Sequence, residues 1–301
     1  MSQLRLAMVG LDTSHVSAFS KLLHDASAPH HVPGARVVAA FPGGSPDFDV
    51  SINRVEKFTT ELRDEHGVKI VDCISQLRGE CDAILLESVD GRVHLEQFRE
   101  VADWGLPVFI DKPLTASSAE ARAIADLAAQ HGTPVMTASA IRYAVPFTEA
   151  LANEEAGAVT GGDFYGPMAF QDKLPGYFWY GIHFVEMLYA TLGAGCVEVT
   201  AKREGAQDIA LGRWADGRFG TVRGNRSGAH TFGGTIHRET KSTWFDVSAS
   251  PKPYYASLLE KILPFFQTGK TPIPFEESVE VIRFLEAANE SAETGKPVSL
   301  V

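Results

Sequence analysis

A lysine held between an acid and a proline closes a short apolar run in Val108-Phe109-Ile110-Asp111-Lys112-Pro113. Apolar runs of this length, set between helical patterns, form buried strands of parallel sheets. Side chains at the carboxyl end of such a strand face the crevice where open α/β sheets bind ligands. Pro113 fixes its own backbone and biases Lys112 away from the helical region, which would hold the amine at that crevice. A lysine so placed can donate a proton or a hydrogen bond to a substrate oxygen, and partial burial lowers its pKa toward neutrality. The competing assignment is a surface Asp-Lys-Pro turn.

A second stretch with chemistry in it is Val9-Gly10-Leu11-Asp12-Thr13-Ser14-His15. Dinucleotide-binding turns use glycines to bend sharply and to let backbone approach a pyrophosphate. Only the first glycine of that spacing, Gly10, is present. Asp12 takes the place of the second, adding a side chain and a negative charge where phosphates would sit, and His15 takes the third. Asp, Thr and Ser also cap helices well. Helix capping and a polar site at the sheet edge therefore both remain open for Asp12, Thr13, Ser14 and His15.

The elements that must position these residues alternate through the first half of the chain. Leu4 to Val9, Arg36 to Ala40, Lys69 to Val71, Ala83 to Leu86, the run before Asp111, and Pro134 to Ala138 read as strands. Between them Val16 to His24, residues 54–66, Val93 to Trp104 and Ala119 to His131 read as helices, the last capped by Ser117 or Ser118. Strand and helix alternating in this way predict a doubly wound parallel sheet, a Rossmann-type domain over residues 1–140. After Tyr143 the pattern changes. Residues 161–180 are rich in glycine and aromatics, and Val197 to Ala201 reads as a strand. Asp208 to Val247 reads as hairpins with turns at Asp216-Gly217, Gly224-Asn225 and Gly233-Gly234. A final amphipathic helix over about Glu276 to Thr294 stops at Gly295-Lys296-Pro297. Residues 141–301 are thus expected to form an α+β domain on a mainly antiparallel sheet, with the last helix packing back on the first domain.

This combination resembles the Gfo/Idh/MocA oxidoreductase family over nearly the whole chain. Local matches are Asp82-Ala83-Ile84-Leu85-Leu86 followed by His94, Ser139-Ala140-Ile141-Arg142-Tyr143, and the tail from Tyr255 through Gly295-Lys296-Pro297. The resemblance implies an NAD- or NADP-dependent dehydrogenase or reductase of a sugar, polyol or cyclitol-like substrate. Hydride would pass between a carbinol carbon and the nicotinamide while a lysine and a histidine manage the hydroxyl proton. Lys112 takes the signature-lysine role, the family's Glu-Lys-Pro appearing as Asp111-Lys112-Pro113. The family's Asp followed four residues later by His aligns with Trp179-Tyr180-Gly181-Ile182-His183. His183 is retained, but Trp179 holds the Asp position, where an indole can only donate and stack.

By resemblance the catalytic residues are Lys112 and His183, and Gly10, Asp12, Thr13, Ser14, His15, Ser88 and His94 bind cofactor. Asp111, Arg142, Tyr143, Trp179 and Glu186 are implied at the substrate. His183 could equally be a helix-face histidine with a satisfied hydrogen bond, and Arg142 and Tyr143 a structural ion pair and a packed ring. The acid expected after the second strand, which would bind an adenosine ribose, is missing from Ala39-Ala40-Phe41-Pro42-Gly43. These departures keep two alternatives open: a non-redox lyase, hydrolase or isomerase of a sugar derivative, or a non-catalytic binding protein. The polar residues show no metal-ligand spacing, so no metal is expected. His30 and His31 are expected on a loop surface and His237 on the C-terminal sheet.

Composition sets the remaining bounds. The chain has 301 residues, 45% hydrophobic and 22% charged, enough for two ordinary domain cores. A net charge of −11 with no basic run speaks against a nucleic-acid footprint or a membrane-surface patch. Three cysteines, Cys73, Cys81 and Cys196, make neither a disulfide framework nor a metal set. Met1-Ser2-Gln3-Leu4-Arg5 leads straight into a strand, so no signal peptide is expected. A cytoplasmic location is the default expectation, and the resemblance implies a homo-oligomer acting on a sugar-like small molecule, with residues 141–301 as its substrate and oligomerisation domain.

Overall fold

The computed structural model describes residues 3–300. It divides into two compact units. The first comprises residues up to Thr115, Ala119–Ala138 and Tyr255–Phe275; the second comprises Ala116–Ser118, Ser139–Tyr254 and the chain from Glu276.

The first unit is built in the order β1 (Leu4–Val9), α1 (Ser14–His24), β2 (Ala35–Phe41), α2 (Asp49–His66), β3 (Lys69–Ile70), β4 (Ala83–Leu86), α3 (His94–Val101), β5 (Val108–Ile110), α4 (Ser118–His131, whose first residue counts with the second unit) and β6 (Val135–Thr137). Its six strands are all parallel and lie in the order β3-β2-β1-β4-β5-β6. The order reverses between β1 and β4, the point at which doubly wound sheets bind ligands beyond their carboxyl ends. All four residues of β4 and all three of β5 are buried, as strands covered by helices on both faces must be. This is the expected Rossmann-type sheet. The helix α2 begins at Asp49, several residues before the periodicity predicted, and ends at Gly67 in the left-handed conformation (φ 66°).

The second unit holds α5 (Val145–Leu151), β7 (Val159–Pro167), α6 (Gly181–Leu192), β8 (Cys196–Glu204), β9 (Gln207–Trp214), β10 (Phe219–Asn225), β11 (Gly233–Arg238) and β12 (Ser242–Asp246). Next come α7 (Tyr254–Thr268), α8 (Phe275–Thr294) and β13 (Val298–Ser299). Seven strands form one sheet in the order β12-β11-β7-β10-β9-β8-β13, antiparallel except where β7 pairs with β10. The expected mainly antiparallel sheet is therefore present. The helix that clusters with the first unit is α7, whereas the last helix, α8, belongs to the second.

Of the three predicted turns, Asp216-Gly217 does join β9 to β10. Gly224-Asn225 and Gly233-Gly234 instead lie inside strands. Their glycines serve close packing: a Cβ on Gly224 would stand 2.2 Å from the sulfur of Met168, and one on Gly233 would stand 2.5 Å from the Tyr165 hydroxyl. Glycine inside a strand marks such a close approach as readily as it marks a turn. The helix α6 lies on this sheet and is buried at ten of its twelve residues, including Phe184, Leu188 and Tyr189.

Candidate active site

Strand register assembles the polar cluster of the first unit. Val9 pairs with Leu86, and Leu86 with Ile110, so Gly10, Glu87 and Asp111 leave three neighbouring strands side by side. The Glu87 N–H donates to Val9 O (2.7 Å) and the Asp111 N–H to Leu86 O (2.8 Å), extending the ladders by one residue. His15, in the first turn of α1, brings Nδ1 to 2.8 Å from Asp111 Oδ2 and 3.9 Å from Glu87 Oε2. Its ring is held against Tyr255 and Phe19, with centroids 4.9 and 6.0 Å away.

Lys112 follows at the end of β5 and is buried, with 8% of its surface exposed, and its peptide to Pro113 is cis. The surface-turn alternative is thereby excluded. Burial lowers the Lys112 pKa from its ordinary value, against the opposing pull of Asp111 and Glu87. Burial also raises the pKa of Glu87 well above the usual carboxylate range, reinforced by the charges of Asp111 and Asp12. At Asp111 the same burial is outweighed by His15 and Lys112, which hold its carboxyl below the usual value.

The first turn differs from its sequence picture. Asp12 does not project into phosphate space: it is fully buried, its Oδ2 accepting from Ser51 Oγ (2.5 Å) and its Oδ1 from the Val89 N–H (2.9 Å). Burial raises its pKa, offset in part by these two hydrogen bonds. Capping falls to Thr13, whose hydroxyl accepts from the His15 N–H. Ser14 is exposed at the start of α1, and the first turn of that helix carries no acidic residue. Gly10 adopts φ +88°, and a Cβ there would lie 2.3 Å from Ser88 Oγ. Gly10 thus admits the β4 loop to the turn, and Ser88 packs against it. The loop after β2 also closes on this turn, since the Gly10 and Leu11 N–H groups donate to the carbonyls of Phe41 and Pro42. With glycines at 43 and 44, both at positive φ, the surface there is bare backbone.

His94 is fully buried and engaged at both ring nitrogens, with Leu114 O at 3.0 Å and Ser88 O at 2.7 Å. It fastens the segments after β4 and β5 to each other rather than presenting a nitrogen to a cofactor.

The second unit gathers the other predicted residues into two places. His183 lies in the first turn of α6, its Nδ1 2.7 Å from Ser139 Oγ and its ring between Phe232 and Tyr180 (centroids 5.2 and 5.7 Å). Trp179 is buried beside Tyr180. Arg142 is not presented to a substrate. Its Nη1 reaches Glu186 Oε2 at 3.3 Å and its Nη2 reaches Glu277 Oε1 at 2.6 Å, with none of the three side chains more than 11% exposed. Glu186 is correspondingly committed to that ion pair. Burial and the nearby Glu277 push its carboxyl up to about 7 against the pull of Arg142. The Tyr143 hydroxyl is buried with no hydrogen-bond partner among the described residues.

Glu87, Ser51, Ser139 and Glu277 were not singled out in the sequence. Glu87 carried a usable signal, because it follows the apolar run Ala83–Leu86 just as Asp111 follows Val108–Ile110. Ser51 and Glu277 meet their partners only through tertiary packing and left none.

Residues 5–139 match the model of the Gfo/Idh/MocA family, an oxidoreductase family with an NAD-binding Rossmann fold. The match runs from β1 to just past β6, a little under half of the chain. Among solved structures, GenD2 from gentamicin A biosynthesis in complex with NAD is 19% identical, with 100% of this chain and 97% of that one covered at a TM-score of 0.79. A myo-inositol dehydrogenase from Corynebacterium glutamicum is 18% identical, with coverage of 100% and 99% and a TM-score of 0.77. The myo-inositol 2-dehydrogenase from Lactobacillus plantarum is 16% identical, with both chains fully covered and a TM-score of 0.79. At these identities the likeness establishes the fold across the whole chain. No curated protein matches the chain in sequence. No helix among the described residues is long and apolar enough to cross a membrane.

Proposed function

We propose that this chain is an NAD-dependent oxidoreductase of a polyol, cyclitol or sugar-like substrate, with Lys112 handling the proton of the reacting hydroxyl. The observation that carries this reading is the buried Lys112 at the carboxyl end of β5, in a sheet that matches the model of an NAD-binding oxidoreductase family. The inositol dehydrogenases among the structural neighbours support the substrate class.

The residues present fit the cofactor. A pyrophosphate needs a helix N-terminus and backbone it can approach closely. The start of α1 offers the exposed Ser14 and a helix N-terminus free of acidic residues, with Thr13 capping it, Gly10 keeps the turn tight, and Asp12 is withdrawn into the core. When bound, the nicotinamide would accept or give the hydride. Lys112 would hydrogen-bond the substrate oxygen and, with its pKa lowered by burial, take or return the hydroxyl proton. Asp111 would anchor Lys112 and His15 electrostatically. His183, oriented by Ser139, is the second proton-handling group of this reading, and it works without a carboxylate at position 179.

The test is direct. The purified protein is denatured, the supernatant is analysed for NAD(H) and NADP(H) by mass spectrometry, and the cofactor-free protein is titrated with NADH by fluorescence. Released or saturably bound nicotinamide is the expected result. A protein that neither releases nor binds nicotinamide would eliminate hydride chemistry and leave a lyase, hydrolase, isomerase or binding role.

A further inference from the structure

Glu87 is the least explained group of the first unit. It is fully buried, and neither carboxylate oxygen has a hydrogen-bond partner among the described residues. Buried carboxylates are costly unless hydrogen-bonded, paired or bound to a metal. Nothing in the proton handling assigned to Lys112 and His183 requires a second acid beside Asp111.

His15 Nδ1 and one carboxylate oxygen each from Glu87 and Asp111 all lie within 4.8 Å of one another. A first-row divalent cation bonded to nitrogen and oxygen at about 2.1 Å spaces its ligand atoms roughly 3–4.2 Å apart. The 3.9 Å separation from His15 Nδ1 lies within that range and the 2.8 Å separation just below it, so a shift of a few tenths of an ångström brings both into it. The three donors come from different segments, the first turn of α1 and the ends of β4 and β5, and therefore converge from different directions. Their backbones are fixed by the sheet ladders and by the helix. The ring of His15 is fixed in turn by Tyr255 and Phe19. From these positions we infer that His15, Glu87 and Asp111 form a divalent-cation site, suited to Zn2+ or Mn2+.

One imidazole and two carboxylates match the borderline first-row cations better than Mg2+ or Ca2+, which favour oxygen ligands alone. Three protein ligands leave a coordination position open, the arrangement of sites that hold a water or a substrate oxygen rather than of closed structural sites. A substrate hydroxyl beside Lys112 is a fitting occupant. The site was invisible to motif reasoning because positions 15, 87 and 111 share no local spacing.

The test uses the whole protein and the metal alone, with neither nicotinamide nor turnover in the readout, so it stands apart from the oxidoreductase reading. Protein stripped with a chelator is titrated with Zn2+, and separately with Mn2+, by calorimetry, alongside the Glu87→Gln and His15→Ala variants. Circular dichroism and thermal melting confirm that each variant is folded. Glu87→Gln keeps the side chain's size and breaks no hydrogen bond among the described residues, so it is expected to fold. The wild type should take up one cation per chain, and each folded variant should bind at least about tenfold more weakly, since even loss of an outer-shell partner costs that much. A wild type that binds neither cation stoichiometrically overturns the site, as does uptake unchanged in the folded variants.

Discussion

Replacement of Glu186 by glutamine is a quantitative check on the assignment of Arg142 to a structural ion-pair cluster. One buried guanidinium serves two buried carboxylates, and its closer contact, 2.6 Å, is to Glu277. Glu186, at 3.3 Å, carries the surplus charge and is pushed from 4.5 up to about 7 by burial and by Glu277. At about 1.4 kcal/mol per pKa unit, that displacement corresponds to roughly 3 kcal/mol. The folded state holds a proton that the unfolded state releases, so the contribution is fully present below pH 4.5 and is lost as pH rises through about 7. Glutamine mimics the protonated acid and does not titrate. Relative to the wild type, the variant should therefore gain about 3 kcal/mol of stability between roughly pH 4.5 and 8.5. Urea unfolding followed by tryptophan fluorescence across that interval measures the difference. A difference that is flat with pH would refute the reasoning. So would a variant that loses about 3–5 kcal/mol at high pH, the cost of breaking a fully charged buried pair.

Two further substitutions test other parts of the account. Gly10→Ala puts a Cβ 2.3 Å from Ser88 Oγ at φ +88° and should cost about 3 kcal/mol or more; a melting temperature within a degree or so of wild type would show that the turn relaxes freely. Ser139→Ala removes the hydrogen bond at His183 Nδ1, so kcat should fall between about tenfold and hundredfold with KM little changed and the pH profile displaced, and Ser139→Thr should restore it. An unaltered kcat and pH profile in Ser139→Ala would remove His183 from the chemistry.

The parallel sheet was legible because its strands are uninterrupted apolar runs, and a run that stops at a polar residue also announces what stands at the sheet's carboxyl edge. That logic found Asp111 and Lys112 and applied equally to Glu87. It did not determine which way a side chain turns. Asp12 looked like a charge facing phosphate, yet Ser51, thirty-nine residues on, and the Val89 amide draw it inward. His94 looked like a ligand, but two backbone carbonyls occupy its ring. Arg142 and Glu186 are forty-four residues apart and Glu277 lies far beyond, so no local pattern could reveal that they share one buried charge network. The glycines at 224, 233 and 234 misled for a related reason. A missing Cβ serves a turn and a tight side-chain contact alike, and only the packing of Met168 and Tyr165 decides between them.

The central claim is that Lys112 moves the hydroxyl proton in an NAD-linked oxidation. Its most direct test is a turnover assay of wild type and Lys112→Met with NAD+ and a panel of cyclitols, polyols and sugars, followed by the absorbance of reduced nicotinamide, with NADH affinity measured in parallel. The wild type should reduce NAD+ with at least one member of the panel. Lys112→Met should bind NADH as tightly while its kcat falls about 10²- to 10⁴-fold. Turnover by Lys112→Met at the wild-type rate, or a wild type that reduces no nicotinamide with any of them, would contradict the account.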